Sequence, residues 1–230
     1  MDRHQLKINF KPSQKDLNEI FTWTTFPRNN WSEIEKCYNN NCVVVAYYKE
    51  KPIGFIAYKY ASVCIYVSIA ETLPEFKGKG VCKFIVSKII ERYRESIFKA
   101  LYLRCAPAES QFAWEKMGFT YYPKRARENR NELYMFLVFG DVCQVQLLNE
   151  NQSLPANVIE IWDRELPHED IKAKWYVEFD VWDGTNSLIK PFIFFGNDKW
   201  QIKVNGEYYR YKDYNRKSSV HECFYIDTIR

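Results

Sequence analysis

Several things are missing from this 230-residue chain, and each absence narrows the reading. No apolar run approaches the roughly 20 residues that a membrane-crossing helix needs. The longest, Val63 to Ala70, is interrupted by Ser68. The opening MDRHQLKINF alternates charged and apolar residues and lacks the apolar centre of a signal peptide. The seven cysteines include no Cys-x-x-Cys pair, and Cys64 and Cys105 sit inside apolar runs. Reduced, buried thiols in a cytoplasmic protein with no membrane partner are therefore expected. His4, His168 and His221 stand far apart, no metal-ligand spacing is present, and no metal is expected. Internal repeats and low-complexity segments are absent as well.

What is present fits a globular chain long enough to bury a real core as one large domain or two small ones. Aromatic residues reach 17%, which favours strands and flat packed surfaces. The net charge of +4 is uneven. Residues 1–140 carry 22 Lys and Arg against 14 Asp and Glu, whereas residues 141–230 carry 11 against 15. That asymmetry suits two surfaces with different partners, and equally a scatter of solvated charges.

Alternation at Leu6, Ile8 and Phe10 predicts an opening strand. Ser13 with Asp16 resembles a capping box ahead of a helix through Leu17, Ile20 and Phe21. Ser32 with Glu35 repeats that signal before a second short helix to Tyr38. Val43 to Tyr48 and Ile53 to Lys59 read as a hairpin around Lys49-Glu50-Lys51-Pro52. Val63 to Ala70 is a third strand, and Val81, Phe84, Ile85, Ile89 and Tyr93 mark an amphipathic helix from Gly80 to about Arg94. Leu101 to Cys105 is a strand, Pro107 opens a helix to Met117 that Gly118 ends, and Leu133 to Phe139 is a further strand. This alternation predicts an α/β layer over residues 1–140. Beyond Gly140 helical periodicity fades. Strands are expected at Val158–Trp162, Trp175–Trp182, Ile189–Phe195, Gln201–Val204, Glu207–Tyr211 and Glu222–Ile226, with turns at Asp183-Gly184 and Asn205-Gly206. Residues 141–230 thus read as a small antiparallel β domain.

The stretch Leu73-Pro-Glu-Phe-Lys-Gly-Lys-Gly-Val-Cys-Lys-Phe84 carries the chemistry. A strand, a glycine turn and a helix start present unpaired amides and the positive end of a helix dipole, and glycine lets a ligand approach the backbone. Lys77, Lys79 and Lys83 add formal charge, so the stretch suits a phosphate or pyrophosphate. It lacks the Gly-Lys-Ser/Thr of a Walker loop, and Lys83 stands where the dinucleotide fingerprint needs its third glycine. The alternative is a plain tight turn.

Lys77-Gly78-Lys79-Gly80-Val81-Cys82 resembles the Q/R-x-x-G-x-G/A acyl-CoA loop of the GNAT N-acetyltransferase superfamily. Ser110-Gln-Phe-Ala-Trp-Glu-Lys-Met-Gly-Phe119 resembles that family's later helix and strand, commonly A-x-x-F-Y-E-K-x-G-F. The order of elements agrees over about residues 5–139, and the resemblance stops near Gly140. It implies the acyl-CoA N-acyltransferase fold, an α/β (mixed α+β) domain with a mostly antiparallel mixed sheet. It also implies a transferase using acetyl-CoA as cosubstrate for direct acetyl transfer to an amine. The acceptor is a small molecule or a protein or peptide amine, and a homodimer is admitted. On the same basis the pantetheine arm lies along backbone groups near Ala70 and Thr72. The pyrophosphate lies on Lys77, Gly78, Lys79, Gly80, Val81, Cys82 and Lys83, with Trp114 nearby.

Trp114 stands where the family often has its acid tyrosine, and indole is a donor that does not titrate. Ser110, Tyr121 or Tyr122 are the substitutes as acid, and Glu71 is the candidate base. Each has an ordinary alternative: packing for the tyrosines and a solvated strand end for Glu71. A GNAT fold that binds acyl-CoA without transfer is the second reading. The basic stretch Lys124-Arg-Ala-Arg-Glu-Asn-Arg130 suits an anionic partner or a solvated loop. No aromatic-interleaved basic motif supports nucleic acid as a partner. Trp175, Trp182, Trp200, Tyr208, Tyr209 and Tyr211 read as sheet core or as a binding face.

Overall fold

The structure is a computed structural model that describes residues 3–126, 132–149, 151–165, 171–197, 199–214 and 223–230. His168, His221 and the Arg127–Arg130 end of the basic stretch lie outside the described residues.

The chain opens with β1 (Leu6–Asn9) and α1 (Gln14–Trp23). The Ser13/Asp16 capping box forms in full, so two of the helix's first amides are satisfied reciprocally. Next comes α2 (Arg28–Asn39), whose N-cap is Pro27, five residues before the Ser32 cap that the sequence suggests. Pro27 opens it, and Ser32 lies inside with its hydroxyl donated to the carbonyl of Asn29. A serine one turn into a helix can bond backward instead of capping forward.

β2 (Val43–Tyr48) and β3 (Lys51–Ala61) form a hairpin with a turn of only two residues, Lys49 and Glu50, both at positive φ. The expected four-residue turn is shorter because Pro52 is accommodated in the strand beside a register shift at Ala46/Tyr47. β4 (Cys64–Thr72), α3 (Val81–Tyr93) and β5 (Ala100–Arg104) follow. The predicted helix after Pro107 is shorter than its periodicity suggests. A 3-10 turn at Ala108–Ser110 leads into α4, only Gln111–Glu115. β6 (Thr120–Tyr121) and β7 (Tyr134–Val138) complete a seven-stranded sheet of order β1-β2-β3-β4-β5-β7-β6. Only the β4–β5 pair is parallel. The fold is therefore a mixed α/β layer with a mostly antiparallel sheet.

Facing residues set the two sides of the sheet. Tyr58 and Tyr60 of β3 meet Tyr93 of α3, with hydroxyl contacts of 2.9 and 2.8 Å. On the opposite side Phe55 meets Trp23 of α1, and Lys59 pairs with Glu33 of α2 at 2.6 Å. The core between sheet and helices holds Ile20, Ile34, Phe55, Ile56, Ile65, Ile85, Ile89 and Leu101, all fully buried.

Beyond Gly140 two further sheets form. β8 (Val145–Leu147), β9 (Val158–Trp162), β10 (Trp175–Glu178), β12 (Gln201–Val204) and β13 (Glu207–Arg210) make one of order β13-β12-β9-β10-β8. β11 (Ser187–Phe195) and β14 (Cys223–Thr228) make a two-stranded ribbon. β8 was not among the expected strands, although Cys143-Gln-Val-Gln-Leu147 alternates apolar and polar residues. The expected Trp175–Trp182 strand stops at Glu178, and Tyr211 begins a short helix, α5 (Tyr211–Tyr214), instead of ending β13. Asn205 and Gly206, both at positive φ, make the β12–β13 turn as expected. Trp175, Trp200 and Tyr211 are buried in this core, while Trp182 and Tyr208 are exposed.

The ribbon packs on the first sheet. Phe195 stacks on Phe136 at 4.5 Å and contacts Tyr102 at 5.8 Å and Tyr122 at 5.0 Å. The Cys64 and Cys223 sulfurs lie 3.5 Å apart, fully buried. Among the described residues no helix is long and apolar enough to cross a membrane.

Candidate functional site

β4 and β5 run together only from Cys64/Ala100 to Val67/Leu103. At that point the β3–β4 register shifts, Ala57 facing Ile69 but Tyr58 facing Val67, so Ser68 is an extra residue in β4. A bulge bends its strand and ends local pairing. Among the described residues β4 continues to Thr72 with no partner strand on its β5 side, and the sheet opens into a wedge. No local signal announces this bulge, because one serine in a mostly apolar run suits a regular strand as well.

The glycine loop stands at the wide end of the wedge. After β4 the chain makes a 3-10 turn, Pro74–Phe76, then passes Lys77, Gly78 and Lys79 to Gly80, which caps α3 at φ 85°. Gly78 is also left-handed, at φ +74°, and a Cβ built on it meets no heavy atom within 4 Å. Lys77 and Lys79 donate their amides within the turn, to Pro74 and Phe76 at 3.2 Å. The amides of Val81, Cys82 and Lys83 are in the first helical turn, where no preceding turn can accept from them. Open space, first-turn amides and three lysines together fit a pyrophosphate. Burial pushes the Cys82 thiol up to about 12, so it stays protonated. The Val81 side chain is core, which leaves only its amide for a ligand.

The helix start is pressed close to the sheet by a glycine that sequence reasoning missed. A Cβ on Gly54 would sit 2.8 Å from Val81 Cγ1 and 3.3 Å from the Glu71 carbonyl oxygen. A lone glycine inside a strand was the available signal. Ala70 and Thr72 pair with Ile56 and Gly54, so their side chains share the α3 face with the loop.

Glu71 points the other way, toward α1, and is 9% exposed. Its carboxylate accepts from Thr24 Oγ1 at 2.5 Å, Thr25 Oγ1 at 2.5 Å and the Thr25 amide at 3.0 and 3.2 Å. It thus ties the end of α1 to the wide end of the wedge. Thr24 and Thr25 carry no local signal for this role, since the contact spans 46 residues or more.

On the β5 side, Ser110 ends the 3-10 turn before α4. Burial pushes the Cys105 thiol up, against a contact from the Ser110 hydroxyl that lowers it. The Tyr121 hydroxyl donates to Gln111 Oε1 at 3.0 Å and to the Glu115 carboxylate. The Glu115 bond is the main reason its pKa rises to about 12. Ser110, Cys105 and Tyr121 are thus gathered around α4, while Glu71 lies across the wedge on β4. Trp114 is 8% exposed, edge-on to Phe119 at 5.1 Å within the core. Tyr122 is turned away from Tyr121, packed on Tyr134 and Phe195.

Residues 11–119 match the model of the acetyltransferase (GNAT) family. No curated protein matches the chain. Among solved structures it is similar to Ard1 from Thermoplasma volcanium, at 18% identity and a TM-score of 0.46, over 59% of this chain and 98% of that one. It is also similar to a GNAT-family acetyltransferase from Bacillus cereus, at 15% identity and a TM-score of 0.47, over 58% and 97%. A third is the Bacillus subtilis N-acetyltransferase YlbP in complex with coenzyme A, at 13% identity and a TM-score of 0.45, over 58% and 96%.

Proposed function

With residues 11–119 forming a domain of the acetyltransferase (GNAT) family, we propose that the protein is an acetyl-CoA-dependent N-acetyltransferase acting on an amine by direct transfer. The observation that carries this reading is the left-handed Gly78–Gly80 loop feeding α3 beside the wedge between β4 and β5. Bound acetyl-CoA supplies a thioester. In the transfer a C–N bond forms, the C–S bond breaks, and the proton lost by the amine ends on the CoA sulfur. The amides of Gly78, Gly80, Val81, Cys82 and Lys83 and the lysine side chains at 77, 79 and 83 hold the pyrophosphate. The unpaired edge of β4 near Ala70 and Thr72 holds the pantetheine arm as an added strand would be held.

Glu71 is the candidate base on the acceptor side. Its three donors hold the carboxylate in place, so it acts through a water or by orienting the amine. On the opposite wall Ser110 and Tyr121 are the candidate proton donors. Tyr121 holds its proton against Glu115, so Ser110 or a water on it is the better placed source. The two-part organisation, a transferase domain at 1–140 and a β domain at 141–230, belongs to the same proposal.

One observation favours a second reading, acyl-CoA binding without transfer. Trp114 fills the usual acid position and is packed in the core. Calorimetry with acetyl-CoA, on wild type, Lys77→Ala and Gly80→Asp, tests the shared premise. Binding that both substitutions weaken supports it, and affinity unchanged in Gly80→Asp counts against it.

A further inference from the structure

The wedge has two mouths. The one on the α3 face is occupied by the glycine loop. The other opens on the face that carries α1 and α2, and there Tyr66 and Tyr102 are the last facing pair before the strands part. Their ring centroids are 5.0 Å apart, and both rings are partly exposed. On one flank, Lys59 opposite Tyr66 is engaged by Glu33 of α2. On the other flank, Tyr102 rests against Phe195 of the C-terminal ribbon, which also stacks on Phe136. The ribbon therefore covers the β5 and β7 part of this face, beside the part covered by α1 and α2.

The same module holds the chain that follows β6. Ala126 has 0% exposure and lies in the second core, among Trp175, Phe194 and Trp200. Beside it Arg125 reaches Asp163 at 3.7 Å. Two contacts, one apolar and one ionic, thus fasten the chain after β6 to residues beyond 140.

We propose that the C-terminal β module completes the acceptor entrance, and that the acceptor is a primary amine carrying an aromatic ring, which docks on the Tyr66–Tyr102 platform backed by Phe195. This rests on the transferase reading above. An amine must approach the thioester carbon from the mouth that the cosubstrate does not fill. An ammonium or a flat ring arriving there meets tyrosine faces, which favour both.

Phenethylamine and butylamine are the probes, with the full chain and acetyl-CoA. Wild type should show a KM for phenethylamine about tenfold below that for butylamine. Tyr66→Leu should raise the phenethylamine KM about fivefold and leave the acetyl-CoA KM unchanged, and Tyr66→Phe should restore it. Phe195→Leu, checked for an intact melting transition, should raise the same KM through Tyr102. Ligand-observed NMR of phenethylamine on wild type and Tyr66→Leu gives a second readout that needs no turnover. Weaker binding in Tyr66→Leu supports the platform even if transfer itself fails. Equal KM and equal NMR binding for the two amines, or an unchanged response in Tyr66→Leu, overturns it.

Discussion

Gly78→Ala separates a ligand-bearing loop from a plain turn. Gly78 has φ +74°, and an added Cβ meets nothing within 4 Å. The left-handed conformation costs an L residue about 1–2 kcal/mol. Alanine recovers about 0.4–1 kcal/mol through its less free unfolded state. The net cost is about 1 kcal/mol, or a fall in Tm of about 2–4 °C for a chain of this size. Gly184 is the matched control, because it too is left-handed, at φ +69°, with open space at its Cβ position. Gly184→Ala should show the same loss of Tm. Only Gly78→Ala should weaken CoA binding, by about tenfold or more, since the methyl stands where a pyrophosphate would approach the backbone. Thermal melts and calorimetric titrations with CoA on both variants give the answer. CoA affinity equal in the two would mean that Gly78 only turns the chain.

Glu71→Ala takes the acceptor from Thr24, Thr25 and the Thr25 amide at a site 9% exposed, which should cost about 3 kcal/mol. A Tm within about 2 °C of wild type would show that the carboxylate is not the tie described. Gly54→Ala puts a Cβ 2.8 Å from Val81 Cγ1 and should cost about 1–3 kcal/mol, with weaker CoA binding as α3 is displaced. Unchanged stability and affinity would contradict the close approach. For Asp163, burial opposes the charge, but hydrogen bonds and charges from Arg164 and Lys174 outweigh it and lower its pKa from 3.8. A lowered folded pKa contributes stability above the unfolded value that is lost as pH falls through the folded one. Asp163→Asn should therefore lower Tm at pH 7 and narrow the gap to wild type below about pH 4. A gap that is constant with pH would refute the assignment.

The glycine loop, the amphipathic α3 and most strands were legible because their signals are local. Gly80 caps its helix, Ser13 its own, and Asn205-Gly206 turns its hairpin as their residue types require. The start of α2 was misread because Ser32 offers the same side chain for capping and for back-bonding. The early end of the helix after Pro107 was misread because apolar spacing cannot show where packing of Trp114 on Phe119 takes over. The wedge itself depends on one extra residue, Ser68, and on strands that part after Val67/Leu103. Contacts such as Glu71 with Thr25, Ala126 with the second core and Tyr102 with Phe195 join distant segments, and nothing local in the sequence announces them.

The central claim is transfer, and thiol release measures it. Purified protein with acetyl-CoA and a panel of amines, aromatic amines included, should release CoA thiol above the uncatalysed rate for at least one acceptor, with the acetylated amine formed in equal amount. Tight CoA binding with release at the uncatalysed rate across the panel would contradict the enzyme and leave a GNAT fold that only binds.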